Sequence, residues 1–160
     1  MKTSFRLLYI IALLLTVVSC GRRAPQSAAR PERRYVFLPP IPPAALPQEQ
    51  KRDYLRGHYW DKFDFTDTMF VHKADTAQML SHFAQFVAVI SDRPADPAPM
   101  ADLMRRAGVS RPMTDYFAWL AERVLADPNS SMRNDEFYIP VLEAQLAAPF
   151  YDQYERIGPQ

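Results

Sequence analysis

The chain has 160 residues, with 19 Lys and Arg against 18 Asp and Glu, a formal charge of +1. Its 48% apolar content, single Cys, 3 His, 4 Gly and 15 Pro leave room for one domain plus an address segment. They exclude an intramolecular disulfide, a CxxC redox pair and a multi-cysteine zinc site, disfavour Gly-rich phosphate loops, and, with no basic block after residue 34, give no footprint for nucleic acid.

The first element is an address. Lys2 and Arg6 precede Leu7 to Val18, an apolar run ending in Val17-Val18-Ser19-Cys20. The run matches a signal-peptide core and is shorter than the ~20 residues a bilayer span needs. A small residue immediately before the only Cys, after such a run, resembles a bacterial lipobox. It predicts removal of residues 1–19 and lipidation of Cys20. Acyl chains on one residue hold a protein on a membrane because each buried methylene contributes ~0.8 kcal/mol. Without Lys2 and Arg6 the mature chain has 17 basic and 18 acidic residues. Gly21 after the Cys is not a retention aspartate. The expected place is the cell envelope, at the outer membrane and facing the periplasm.

Residues 20–46 form the lipidated Cys and a Pro-rich tether. Seven prolines lie from Gly21 to Pro47, and such a segment favours extended polyproline II that reaches roughly 80 Å at about 3.1 Å per residue. Tyr35-Val36-Phe37-Leu38 interrupts the tether with an apolar cluster expected to dock on the domain.

Residues 47–160 read as helices. Pro47 suits a first helical position, and Gln48 to about Trp60 follows. Asp61 to Asp75 reads as a loop. Asp75 then caps Thr76–Ile90, whose Met79, Phe83, Phe86 and Ile90 form one stripe. A Pro-rich connector, Asp92 to Pro99, leads to a short helix, Met100 to Ala107, stopped by Gly108 at C′. Pro112 to Ala126 is the next helix, ended by Asp127-Pro128. Asn134 caps Asp135–Ala148, which Pro140 is expected to kink. Phe150 to Ile157 is a last turn or two. No segment alternates with period two, so the predicted fold is an all-α bundle of five or six short helices behind a signal peptide and a tether.

Two stretches concentrate polar and aromatic groups: His58 to Thr68 and Asp127 to Asn134. Asp61, Asp64 and Asp67, with His58 and His72, are oxygen and nitrogen donors, but carboxylates three apart do not fit the 1, 3, 5 spacing of a calcium loop. No metal site or cofactor is expected. Capping and turn hydrogen bonds are the favoured account of such aspartates. Ser130 and Ser131 lack the glycines of a nucleophile elbow. Arg133, beside Asp127, Asn129 and Asn134, can bridge several acceptors with its five donors. It is read as a loop knot pinning two helices, with an anion clamp as the alternative. The expected junction packs His58, Trp60, Asp61, Asp64 and Asp67 against Asp127, Asn129, Arg133 and Asn134, since buried polar groups need partners. No catalytic residue is assigned.

YLRGHYWDKFDFTDT, followed by LADPNSSMRNDEFYIPVLE, resembles a helical domain of unknown function found in bacterial lipoproteins. Tyr54, Leu55, His58, Tyr59, Trp60, Asp61, Phe63, Asp64, Phe65, Asp67 and Thr68 match its first motif, Y-L-x-x-H-Y-W-D-x-F-D-F-x-D-T. Asp127, Pro128, Asn129, Ser130, Met132, Arg133, Asn134, Tyr138, Pro140, Val141 and Leu142 match the second, where Ser131 replaces a common Pro. The resemblance spans about Phe37 to Ile157. It implies a domain that usually precedes a thioredoxin-like domain of the thiol-disulfide reductase or peroxiredoxin type, and it carries no catalytic residues across. This chain stops at Gln160, where that domain would begin. The resemblance therefore implies a membrane-anchored, non-catalytic interaction module whose partner is a thioredoxin-like protein or domain. The alternatives are an envelope enzyme with its site between the two motifs, or a truncated relative lacking its redox half.

Overall fold

The computed structural model describes residues 35–93, 96–152 and 154. They fall in one compact unit, residues 34–160. Among the described residues there are six α-helices and one π turn, and no strand. The fold is all-α.

Helix α1, Gln48–His58, starts after Pro47, which sits at the N-cap rather than inside the first turn; its carbonyl accepts from the Lys51 amide at 3.0 Å. The helix stops two residues short of the expected Trp60 because Tyr59 and Trp60 turn into the core, each 3% exposed. Helix α2, Met69–Lys73, lies where a loop was expected. It is one turn held by Phe70 and Val71 packing on the core, too short for a period to show in sequence. Helix α3, Thr76–Ile90, begins as anticipated, with the Asp75 carboxylate accepting from the Gln78 amide at 2.8 Å. Its stripe of Met79, Phe83, Phe86 and Ile90 is essentially fully buried.

Helix α4, Ala98–Ala107, starts two residues earlier than the expected Met100, with Pro99 in its first turn. Gly108 is the C-cap with φ −63°, not a left-handed C′ residue. Its small size serves a close approach instead: a Cβ there would lie 3.2 Å from the Arg105 carbonyl oxygen. Helix α5, Arg111–Ala121, passes into a π turn, Glu122–Ala126, where the Asp127 amide donates to the Glu122 carbonyl at 2.9 Å. The wider turn keeps both Val124 and Leu125 in the core. Helix α6, Asp135–Ala147, is capped by Asn134, which accepts from the Phe137 amide at 3.1 Å. It runs on through Pro140, which is buried. Helix was also expected at Phe150–Ile157. Residues 150–152 and 154 are turns, bends or coil, because Tyr151 reaches back across α5 to the Asp115 carboxylate, and the rest lies outside the described residues.

Helix α4 packs between α5 and α6, α3 packs on α1 and α5, and the π turn packs on α6 and α3. Phe83, Phe86, Phe117 and Phe137 are the largest fully buried side chains. Truncating one such ring costs ~3–5 kcal/mol. From the arm at residues 35–38, Phe37 joins this core, 3% exposed and stacked on Trp60 at 4.8 Å and 13°, while Val36 and Leu38 are exposed. The folded unit therefore begins before Pro47. Residues 1–34, with Cys20 and the predicted leader, lie outside the described residues.

Candidate functional site

The first polar stretch folds by alternation. Trp60, Phe63 and Phe65 are buried, while Asp61 and Asp64 between them and Thr66 after them stay exposed. The turns are closed locally: the Asp61 amide donates to the His58 carbonyl, and the Phe63 amide to that of Trp60. Asp64 accepts from the Thr66 amide at 2.9 Å and from its hydroxyl at 2.6 Å, an Asx turn. Trp60 is ringed by aromatics, edge-on to Phe117 at 5.2 Å and to Phe63 at 5.9 Å. The hydroxyl of Tyr59 donates to the His82 carbonyl at 2.9 Å, and burial pushes the Tyr59 hydroxyl up to about 12.

An arginine from distant sequence fixes this stretch, and a second one borders it. From α4, Arg106 donates to the Trp60 carbonyl at 2.9 Å and to Asp61 Oδ1 at 3.1 Å, with its guanidinium 4.8 Å from the centre of the Phe65 ring. On its other oxygen Asp61 meets His58 Nδ1 at 2.7 Å. Burial pushes the Asp61 carboxyl up, but the hydrogen bonds from His58 and Arg106 outweigh it and hold the group below the usual carboxylate range. From α1, the buried Arg56 donates to the Ile90 carbonyl at 3.2 Å and pairs with Asp92. Arg93 pairs with Asp53 at 2.7 Å. These ion pairs rim an open cleft of about 350 Å³ whose floor includes Tyr59, Trp60 and Leu103. The wall of α1 carries Gly57, where a Cβ would meet nothing within 4 Å.

The second stretch is knotted by backbone contacts. Ser130 Oγ donates to the Val124 carbonyl at 2.5 Å and accepts from the Met132 amide at 3.2 Å. The Asn134 amide donates to the Leu125 carbonyl at 3.0 Å. Asp127 accepts from the Asn129 amide at 2.8 Å and lies 3.7 Å from Arg123 Nη1. Arg133 is not the knot that the sequence suggested. Its side chain is 55% exposed, with Nε 3.7 Å from Asp135. The loop closes by satisfying carbonyls at the end of the π turn, and short side chains and amides reach those better than a guanidinium. Arg123, Asp127, Arg133, Asp135 and Tyr138 line a shallow open cleft of about 520 Å³.

Of the predicted residues, the structure joins His58 to Asp61, and Asp127 to Asn129. Asp61 is joined to Arg106 rather than Arg133. Arg106 and Arg56 were missed; Arg106 lies 45 residues from Asp61 in sequence, and no local pattern marks such a pair. Among the described residues, no three His, Cys, Asp or Glu side chains are grouped to hold a metal ion.

The pattern of a family described as a domain of unknown function, DUF5106, matches residues 19–160. The chain belongs to this family. A crystal structure of a thioredoxin-like protein from Bacteroides caccae is similar, with a TM-score of 0.66 and 31% identity. The match covers 76% of this chain and 44% of that one, so the chain spans less than half the length of that protein. No curated protein matches the chain. The DUF5106 domain thus has a thioredoxin-like structural neighbour.

Proposed function

We propose that this DUF5106 chain is a lipid-anchored, periplasm-facing helical module that is not itself a catalyst and serves a thioredoxin-like protein of the cell envelope. The observation that carries this reading is the 31% identity to part of a thioredoxin-like protein over 76% of the chain. The state of the two motifs supports it. Asp61 is taken up by His58 and Arg106, Asp64 closes a turn, and Ser130 is bonded to the Val124 carbonyl. Side chains engaged in this way hold a surface in shape. Thiol–disulfide exchange needs a thiolate, and the sole Cys sits in a lipobox-like segment, where lipidation would make its sulfur a thioether.

The test has two parts. Cells expressing the chain are grown with labelled fatty acid: label should enter the wild type, and Cys20→Ser should lose both label and membrane retention. The purified chain should reduce insulin no faster than a protein-free control. An unlabelled wild type would remove the anchor from this reading, and turnover clearly above the control would remove its non-catalytic part.

A further inference from the structure

Helix α6 is apolar on two opposite faces. Phe137, Pro140 and Val141 are buried in the core, and Ala144 packs against it. At 3.6 residues per turn, Ile139, Leu142 and Leu146 fall on the other side. Ile139 is 48% exposed, Leu146 is 52% exposed, and Leu142 between them is half-buried. A helix face turned to water normally carries polar residues, so an apolar stripe there is one that a partner can cover. The spacing i, i+3, i+7 is that of a stripe that packs against a partner.

The charges around the stripe restrict what covers it. Helix α6 contains Asp135, Glu136 and Glu143 and no Lys or Arg. An acidic helix is poorly suited to an anionic bilayer surface, which recruits Lys and Arg flanks. A second copy packed antiparallel would bring Glu143 near its own counterpart at the two-fold axis, and like charges juxtaposed in a contact oppose association. The fitting surface is an apolar patch with a basic rim on a different protein. The similar Bacteroides caccae protein supplies the class, because the matched region is 44% of a chain described as thioredoxin-like.

Resting on the function proposed above, we infer that the Ile139–Leu142–Leu146 stripe of α6 is the face that docks on the thioredoxin-like partner. The polar clefts at the two sequence motifs then stay open to solvent in the complex, and α6 is sandwiched between two cores.

Photo-crosslinking from single positions of the full-length chain, in its native cells, tests this. The crosslinker is p-benzoylphenylalanine, replacing Ile139 or Leu146, with replacement of Val109, 58% exposed between α4 and α5, as the control. Positions 139 and 146 should each yield an adduct identified by mass spectrometry as a thioredoxin-like protein, and position 109 should not. Adding Leu146→Asp should cut the yield from position 139 by about tenfold or more, because a carboxylate would enter an apolar contact. Because Leu146 is half-exposed, the Leu146→Asp chain should keep its helical circular dichroism and its unfolding midpoint, which separates lost docking from lost folding. Adducts with a second copy or with lipid from 139 and 146 would overturn the assignment. A thioredoxin-like adduct from 109 alone would refute the face and leave the proposed function standing. Absence of such an adduct from all three positions would overturn both.

Discussion

Replacing Arg106 by Ala should destabilise the domain more than any other single change of a charged, solvent-reaching side chain in α4. Arg106 is 23% exposed and makes three contacts at once, to the Trp60 carbonyl, to Asp61 and to the Phe65 ring. Losing the donor to a carbonyl beside a buried Trp costs ~1–3 kcal/mol. The Asp61 pair is half-exposed on the carboxylate side and contributes only ~0–1 kcal/mol after screening. The guanidinium over Phe65 adds ~0.5–1 kcal/mol. Since these groups share one side chain, simple addition overstates the result, and a loss of about 1–4 kcal/mol is expected. At roughly 4 °C per kcal/mol for a domain of this size, the midpoint falls by about 4–16 °C. The assay is thermal unfolding followed by circular dichroism, with Arg105→Ala as the control. Arg105 is a neighbour on the same helix with a side chain 73% exposed and an ion pair to Asp102, and its loss should stay within ~0.5 kcal/mol. Equal midpoints for the two variants would refute the reasoning and detach Arg106 from the first motif.

Arg133→Ala should cost no more than ~0.5 kcal/mol, whereas Ser130→Ala, which removes the hydroxyl that bonds the Val124 carbonyl and the Met132 amide, should cost ~1–3 kcal/mol in the same assay. Gly57→Ala should be neutral or stabilising by up to ~1 kcal/mol, since a helical Gly is replaced where a Cβ meets open space; a destabilised variant would mean that the cleft wall is filled. Asp61 has a lowered folded pKa, so its pairing stabilises the fold above the ordinary carboxylate pKa of ~3.9 and is lost as pH falls through the folded value. The midpoint gap between wild type and Asp61→Asn should therefore narrow from pH 6 towards pH 3, and a constant gap would contradict the pairing.

How much was legible follows from how local each signal is. Thr76–Ile90 was readable because its cap, Asp75, and its buried stripe sit within one 15-residue stretch. Asn134 announced α6 in the same way. The single turn at Met69–Lys73 was not, because five residues show no period and the helix depends on Phe70 and Val71 finding a core built by other elements. Within the polar stretches, the alternation of aspartates with Trp60, Phe63 and Phe65 was visible, but not which cation would meet them. That cation, Arg106, comes from a helix 45 residues on. Arg133 drew attention because its sequence neighbours are polar. In the fold Ser130 bonds the Val124 carbonyl, Asp127 accepts from the Asn129 amide and Asn134 caps α6, while the Arg133 side chain is 55% exposed beside Asp135. The exposed stripe of α6 was likewise hidden, since only the fold shows Phe137 and Val141 filling the inward face and leaving Ile139 and Leu146 outside it.

The central claim is that the domain works beside a thioredoxin-like protein. Its most direct test is quantitative mass spectrometry of what co-purifies with the epitope-tagged, full-length chain from gently solubilised membranes of its native cells. The account predicts a thioredoxin-like protein in amounts comparable to the chain itself, reduced to background when Leu146→Asp is introduced. A chain recovered with no thioredoxin-like protein, or one that turns over a thiol or disulfide substrate alone, would contradict it.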